Sequence, residues 1–256
     1  MPANATFTVE VAVDSVAGAE AAAAAGAHRL ELCQGLELGG LTPSRGLVDA
    51  VLAAVKVPVV AMVRPRPGDF LYDRGEFAAM LRDVDHLRAA GVAGIVAGVL
   101  DAEGRIDAAR LRELQARAGE LPFTCHRAFD LCADALATID TLCGLGTARV
   151  LTSGQAATAL AGAATIRACV ERARGRLIVM AGAGIRDTNV RELVAATGVR
   201  EVHLSASTTR ASAMTFRRAG VPMGSAPPAD EHTLRATDGA LLARVVANLR
   251  GCDRQA

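Results

Sequence analysis

Two glutamates, one arginine and two histidines stand inside short β-branched segments, where polar side chains need a reason to be. Glu10 interrupts Val9 and Val11, Glu31 sits between Leu30 and Leu32, and Arg64 closes the run that starts at Pro58. His126 ends Phe123-Thr124-Cys125-His126, and His203 lies between Val202 and Leu204. A carboxylate buried without a partner is strongly destabilising, so such groups must be paired, protonated or bound to a ligand. These five can satisfy one another in a single network. As chemistry, His126 could act as general acid or base, with Glu31 or Glu10 orienting it or taking a proton. Arg64 and Arg127 could hold an anion, and Asp130 could fix Arg127 or His126. The competing reading is a structural ion-pair cluster with no chemistry.

The elements that must position these residues follow one rhythm. Apolar runs at 7–13, 29–33, 58–64, 94–97, 123–126, 149–152, 177–181 and 202–205 read as strands. Segments of helical period follow at 15–25, 46–55, 75–90, 107–118, 134–143, 156–174 and 189–197. Repeated βα units mean a parallel sheet with crossover helices. Eight strands are the count that closes a (β/α)8, TIM-type barrel. No composition break divides the chain, which predicts one barrel domain over 1–220. The extension over 221–256, with Pro222, Pro227 and Pro228, is expected to pack on the barrel and to carry a helix at 232–249.

Strand parity then sorts the side chains. Alternate residues of a barrel strand point inward and the others meet the helices. Val9, Val11 and Val13 form one set, which turns Glu10 inward; Leu30 and Leu32 do the same for Glu31 and Cys33. Arg64 shares parity with Met62 and Val60, His126 with Thr124, and His203 with Ser205. Arg64 and His126 end their strands and should reach the C-terminal mouth, where barrel active sites are built.

Two loops give that mouth an anion-binding character. Ala181-Gly182-Ala183-Gly184 follows the seventh strand and Ser205-Ala206-Ser207-Thr208 the eighth. This is the usual barrel position for a phosphate, held by backbone N–H groups. Gly182, Gly184 and Ser205 are the candidates, and Thr152, Ser153 and Gly154 add donors to the same rim.

Composition narrows the classes. Of 256 residues, 51% are hydrophobic and 21% charged, which is incompatible with a disordered chain. Lys plus Arg is 28 against 27 for Asp plus Glu, without the basic excess of a nucleic-acid binder. No apolar run approaches the ~20 residues that span a bilayer, and the N-terminus lacks a signal-peptide pattern. The six cysteines form no C-x-x-C pair and no zinc or disulfide spacing. A cytoplasmic protein with reduced thiols is expected, with neither nucleic acid nor membrane as partner and no organic cofactor.

Several longer motifs carry a resemblance. They are Arg29-Leu30-Glu31-Leu32-Cys33, Gly39-Gly40-Leu41-Thr42-Pro43-Ser44, Arg64-Pro65-Arg66-Pro67-Gly68-Asp69-Phe70 and Thr124-Cys125-His126-Arg127-Ala128-Phe129-Asp130. Val150-Leu151-Thr152-Ser153-Gly154 and Met180-Ala181-Gly182-Ala183-Gly184-Ile185 complete the set. In order and register, from about Val9 to Gly224, they resemble the CutC family of copper homeostasis proteins. The resemblance implies a TIM-type barrel, a cytoplasmic and often oligomeric protein, and association with Cu(I), with no established reaction. Pro67 stands where the family usually has glycine, and Cys125 where it usually has phenylalanine.

The resemblance makes Cys33, in the family's E-L-C segment, the candidate Cu(I) ligand. Cu(I) favours thiolate and thioether donors and tolerates imidazole, so His126, Met62 and Met180 are possible partners. The alternative function is an enzyme acting on a small anionic, phosphorylated metabolite at the Glu/Arg/His mouth. The Ala-rich segments 17–25 and 156–168 could support a homodimer, or serve only barrel packing.

Overall fold

The computed structural model describes residues 7–218, 220–221 and 231–253. Eight parallel strands close on themselves in the order β1 to β8, with β1 hydrogen-bonded to both β2 and β8. The strands are β1 Thr8–Val13, β2 Arg29–Leu32, β3 Val59–Met62 and β4 Gly94–Ala97. They continue as β5 Phe123–Cys125, β6 Arg149–Thr152, β7 Ile178–Gly182 and β8 Glu201–Leu204. Helices α1 Val16–Ala24, α2 Arg45–Ala54, α3 Arg74–Ala90, α4 Ala108–Ala118, α5 Ala135–Gly144, α6 Ala163–Ala173 and α7 Val190–Thr197 form the outer ring.

The helices start where the sequence supplies caps. Ser15, Ser44, Asp107 and Asp134 each accept a backbone N–H of the first turn, and Asp73 with Glu76 forms a complete capping box. The main apolar core lies between strands and helices. Val9, Val11, Val13, Leu30, Leu32 and Cys125 all belong to it. Opposite parity sends Cys33, Val60, Met62 and Val96 into the barrel interior, where they form a small separate apolar cluster.

Three expectations change at the edges. The helix expected over 156–174 is only α6; the stretch before it is turns. The loop begins just before that stretch, at Gly154 and Gln155, where left-handed backbone with φ of 71° and 58° turns the chain away from β6. The helix expected at 232–249 starts later. A strand, β10 (Thr233–Thr237), pairs antiparallel with β9 (Ser207–Ala211), and only then does α8 (Gly239–Asp253) begin. The hairpin therefore spans the expected boundary at residue 220; Pro222, Pro227 and Pro228 lie outside the described residues. The small-residue face of α1 is also taken: Gly18 meets Thr237, and Gly239 approaches Ala21 and Ala25. Gly18, Ala19 and Ala22 are buried within the chain itself.

Candidate functional site

The seam where β8 meets β1 gathers the charge. Register sets Glu10 opposite His203 on one side and opposite Arg29 on the other. Arg29 bridges two acids: its Nε donates to Glu10, and its Nη2 donates to Glu201 Oε2 at 2.6 Å. Arg149 Nε donates to the same Glu201 oxygen at 2.8 Å. His203 Nδ1 lies 2.8 Å from Glu10 Oε1, and its Nε2 lies 3.7 Å from Glu31 Oε2. The Cys33 thiol donates to Glu31 Oε2 at 3.5 Å. The other Glu31 oxygen, Oε1, is buried without a hydrogen-bond partner among the described residues.

Electrostatics separates the two central glutamates. Burial works to raise the Glu10 carboxyl, but His203 and Arg29 outweigh it and hold it at about 2. Glu31 has no guanidinium partner, so burial, reinforced by the Glu10 charge, raises it despite the opposing pull of His203. Burial opposes the His203 imidazolium, yet Glu31 and Glu10 together raise its pKa. The Cys33 thiol is pushed well above its ordinary value by burial and the neighbouring Glu31. Proton donor and proton acceptor thus sit side by side under the mouth.

Arg64 and His126 were expected in this network and are elsewhere. The β3 ladder stops at Met62, so Arg64 is free to turn into the loops. Its Nη1 donates to the Leu38 and Gly40 carbonyls and its Nη2 to the Gly68 carbonyl, at 3.0–3.2 Å. The guanidinium also lies over the Phe70 ring, 5.1 Å from its centroid. It ties the β2 and β3 loops together instead of presenting itself to an anion. His126 packs against Phe70 and is buried, and its Nδ1 accepts the Ala128 N–H at 3.1 Å. Burial and then Arg64 lower its pKa to about 3, so it is neutral at ordinary pH and carries its proton on Nε2.

The loops after β5 and β6 are similarly committed. Asp130 accepts from Arg127 Nε at 2.7 Å, Thr152 Oγ1 at 2.5 Å and Ser153 N at 3.0 Å. Gly154 N donates to Thr152 Oγ1. Thr152, Ser153 and Gly154 therefore have their donors engaged within the chain. Gly184 and Ser205, by contrast, line an open cavity of about 290 Å³ together with Arg127, Arg186, His203 and Ser207. Gly182 lies beneath it, opposite His203 in register. Arg29, Arg149 and Glu201 are site residues that the sequence reading did not single out. The signal was present: Arg29 and Glu201 lie two residues before Glu31 and His203, on the same inward parity.

Fold and site together define a closed (β/α)8 barrel with an ionised interior opening at its C-terminal mouth through His203. The sequence places it more narrowly: the chain belongs to the CutC family, whose profile matches residues 7–208. The human copper homeostasis protein cutC homolog is 44% identical over 232 residues, covering 91% of this chain and 85% of the human protein. The crystal structure of CutC from Streptococcus agalactiae superposes with a TM-score of 0.74 at 29% identity, covering 78% of this chain and 98% of that one. Phosphoribosylanthranilate isomerase from Thermotoga maritima, at 9% identity and a TM-score of 0.57, covers 96% of this chain and 99% of its own, and shares the fold alone. Among the described residues no helix is long and apolar enough to cross a membrane.

Proposed function

We propose that this protein serves copper homeostasis, in keeping with its family and the name of its human relative, and takes Cu(I) as cargo at Cys33. The observation that carries this reading is the pairing of soft donors. A Cβ placed on Gly40 would lie 3.1 Å from Cys33 Sγ and 3.5 Å from Met62 Cε, so the thiol and the methyl end of the thioether side chain line one spot inside the barrel. Thiolate and thioether are the donors Cu(I) selects. The thiol must lose its proton first, and Glu31, already hydrogen-bonded to it, is the acceptor at hand. A reducing cytoplasm is the compartment that keeps all six cysteines free, as they are here.

The test is an anaerobic Cu(I) titration against a competing chelator. Wild type should bind one equivalent tighter than about micromolar, and Cys33→Ser should lose at least about tenfold, or roughly 1.4 kcal/mol. Equal affinities in the two proteins would remove Cys33 from the reading.

A second reading has its own observation, the cavity that His203 shares with Arg127 and Arg186. In it the barrel is an enzyme acting on a small anionic, phosphorylated metabolite. Arg127, Arg186 and the backbone N–H groups at Gly184 and Ser205 would hold the anion. His203, oriented by Glu10, would donate a proton and Glu31 would accept one, the roles first assigned to His126. Inorganic phosphate should appear at Gly184 and Ser205 in a soaked crystal, and Arg186→Gln should weaken its binding about tenfold, roughly the loss of one charge-assisted hydrogen bond. An empty cavity at high phosphate would sink this reading.

A further inference from the structure

The interior charges do not balance by ion pairs alone. Glu10, Glu31 and Glu201 face Arg29 and Arg149, and among the described residues each ion pair of these two guanidinium groups goes to Glu10 or Glu201. Glu31 is the acid left over; among the described residues its polar contacts are the His203 imidazole and the Cys33 thiol. Its Oε1 is buried and unpartnered, an arrangement that calls for a ligand, a proton or a water.

The geometry between Glu31 and His203 discriminates among these. A separation of 3.7 Å between Nε2 and Oε2 is too long for a hydrogen bond. Two ligand atoms bound at ~2.1 Å to one tetrahedral ion stand about 3.4 Å apart, close to what is seen. One ligand atom from each of Glu10, Glu31 and His203 falls within a 4.8 Å span. The other imidazole nitrogen is already held: Nδ1 meets Glu10 at 2.8 Å, and Glu10 is in turn fixed by Arg29. A carboxylate on the far nitrogen of a metal-binding histidine is the usual way to set its tautomer and raise its basicity. His203 also lines the mouth cavity, which supplies an entry path and room for water ligands.

We propose that Glu31 and His203 Nε2 form a binding site for a divalent first-row ion of the zinc class, with Glu10 as the carboxylate that orients the histidine. The ion occupies the position of the imidazolium proton on Nε2, and that proton leaves to solvent. Imidazole with carboxylate suits zinc, whereas Cu(I) prefers sulfur, so this site differs in donor chemistry from a cargo position at Cys33, whose thiol donates to the same glutamate. It does not depend on either functional reading above.

Calorimetric titration of the metal-free full chain with Zn(II), and in parallel with Mn(II), tests it. One equivalent of Zn(II) should bind, more tightly than Mn(II), following the Irving–Williams order. Glu31→Gln and His203→Gln should each weaken Zn(II) at least about tenfold, and Glu10→Gln by about tenfold, while Cys33→Ser, whose hydroxyl can still donate to Glu31, should weaken it by less than about threefold. Gln preserves the side-chain shape of Glu31, and the variant's unfolding midpoint checks that it is folded. Substitution by Co(II) gives a second readout: the spectrum should lack a thiolate-to-metal charge-transfer band. Absence of stoichiometric binding would overturn the proposal. So would binding that survives both ligand substitutions, or binding lost in Cys33→Ser with a thiolate band in the Co(II) spectrum. That last result would instead favour the cysteine as the metal position, so failure of the two ideas is distinguishable.

Discussion

Two histidines of the same barrel live under opposite rules. His203, on β8, is surrounded by acids, and Glu31 and Glu10 raise its pKa despite burial. His126, one residue beyond β5, has Phe70 and Arg64 for neighbours, and burial and the cation drive it down to about 3. The arginines differ in the same way. Arg29 is neutralised by two carboxylates, whereas Arg64 is held by carbonyl oxygens and an aromatic face. The β1–β8 side is a titrating centre, and the β3–β5 side is a brace built from similar residue types. Residue type therefore does not distinguish chemistry from scaffolding; the partners do.

The largest effect that could break this comparison comes from the two arginines. Arg29→Met strands Glu10 and Glu201 with weaker partners and should destabilise the fold by about 3–5 kcal/mol in urea unfolding. Arg64→Met strands no acid and should lose about 1–3 kcal/mol, through hydrogen bonds to three carbonyls. If Arg64→Met were the more damaging, the roles assigned to the two sides would be reversed.

The pH dependence sharpens the contrast. Below the ordinary histidine value of 6.5 an unfolded chain protonates His126, while the folded chain keeps it neutral down to about 3. Its contribution is therefore fully present above 6.5 and lost as pH falls, by at most about 1.4 kcal/mol per pH unit. His126→Gln should flatten that acid limb in a series of urea midpoints. His203 has the opposite sign: its contribution is present below 6.5 and is lost as pH rises through its raised folded value. His203→Gln should accordingly alter the neutral-to-alkaline limb. An unchanged acid limb in His126→Gln would contradict its burial as a neutral base.

The smallest test uses two glycines. A Cβ on Gly98 would stand 2.8 Å from the His126 ring and from Ala128, groups with little freedom to move. One on Gly182 would meet the far end of Leu151 at 2.6 Å, which can swing aside. Gly98→Ala should cost about 1–3 kcal/mol of stability and Gly182→Ala less than about 1, by thermal or urea unfolding. Equal losses would show that the brace is no stiffer than the titrating side.

The same contrast explains what could be read from the chain. The barrel, the inward turn of Glu10, Glu31 and Cys33, and the outward turn of Cys125 follow from alternation within strands, which is a local property. That alternation holds only inside the hydrogen-bonded ladder. Arg64 and His126 lie just past the ends of β3 and β5, where the backbone is released from the pleat, and parity no longer aims their side chains. Thr152 and Ser153 read as free donors because Asp130, more than twenty residues earlier, leaves no local sign that it will accept from them. The β9–β10 hairpin was invisible for another reason. All five residues of β9 are exposed, so no apolar alternation marks it.

The closing seam of the barrel has one more consequence. Glu10 and His203 are separated by 193 residues and meet only when the first strand accepts the last. A chain still emerging from the ribosome carries the glutamates and Cys33 early but has no histidine to complete the centre. Until the eighth strand docks, the growing polypeptide lacks the imidazole at that point, and a ligand that needs His203 is held only once the barrel has closed.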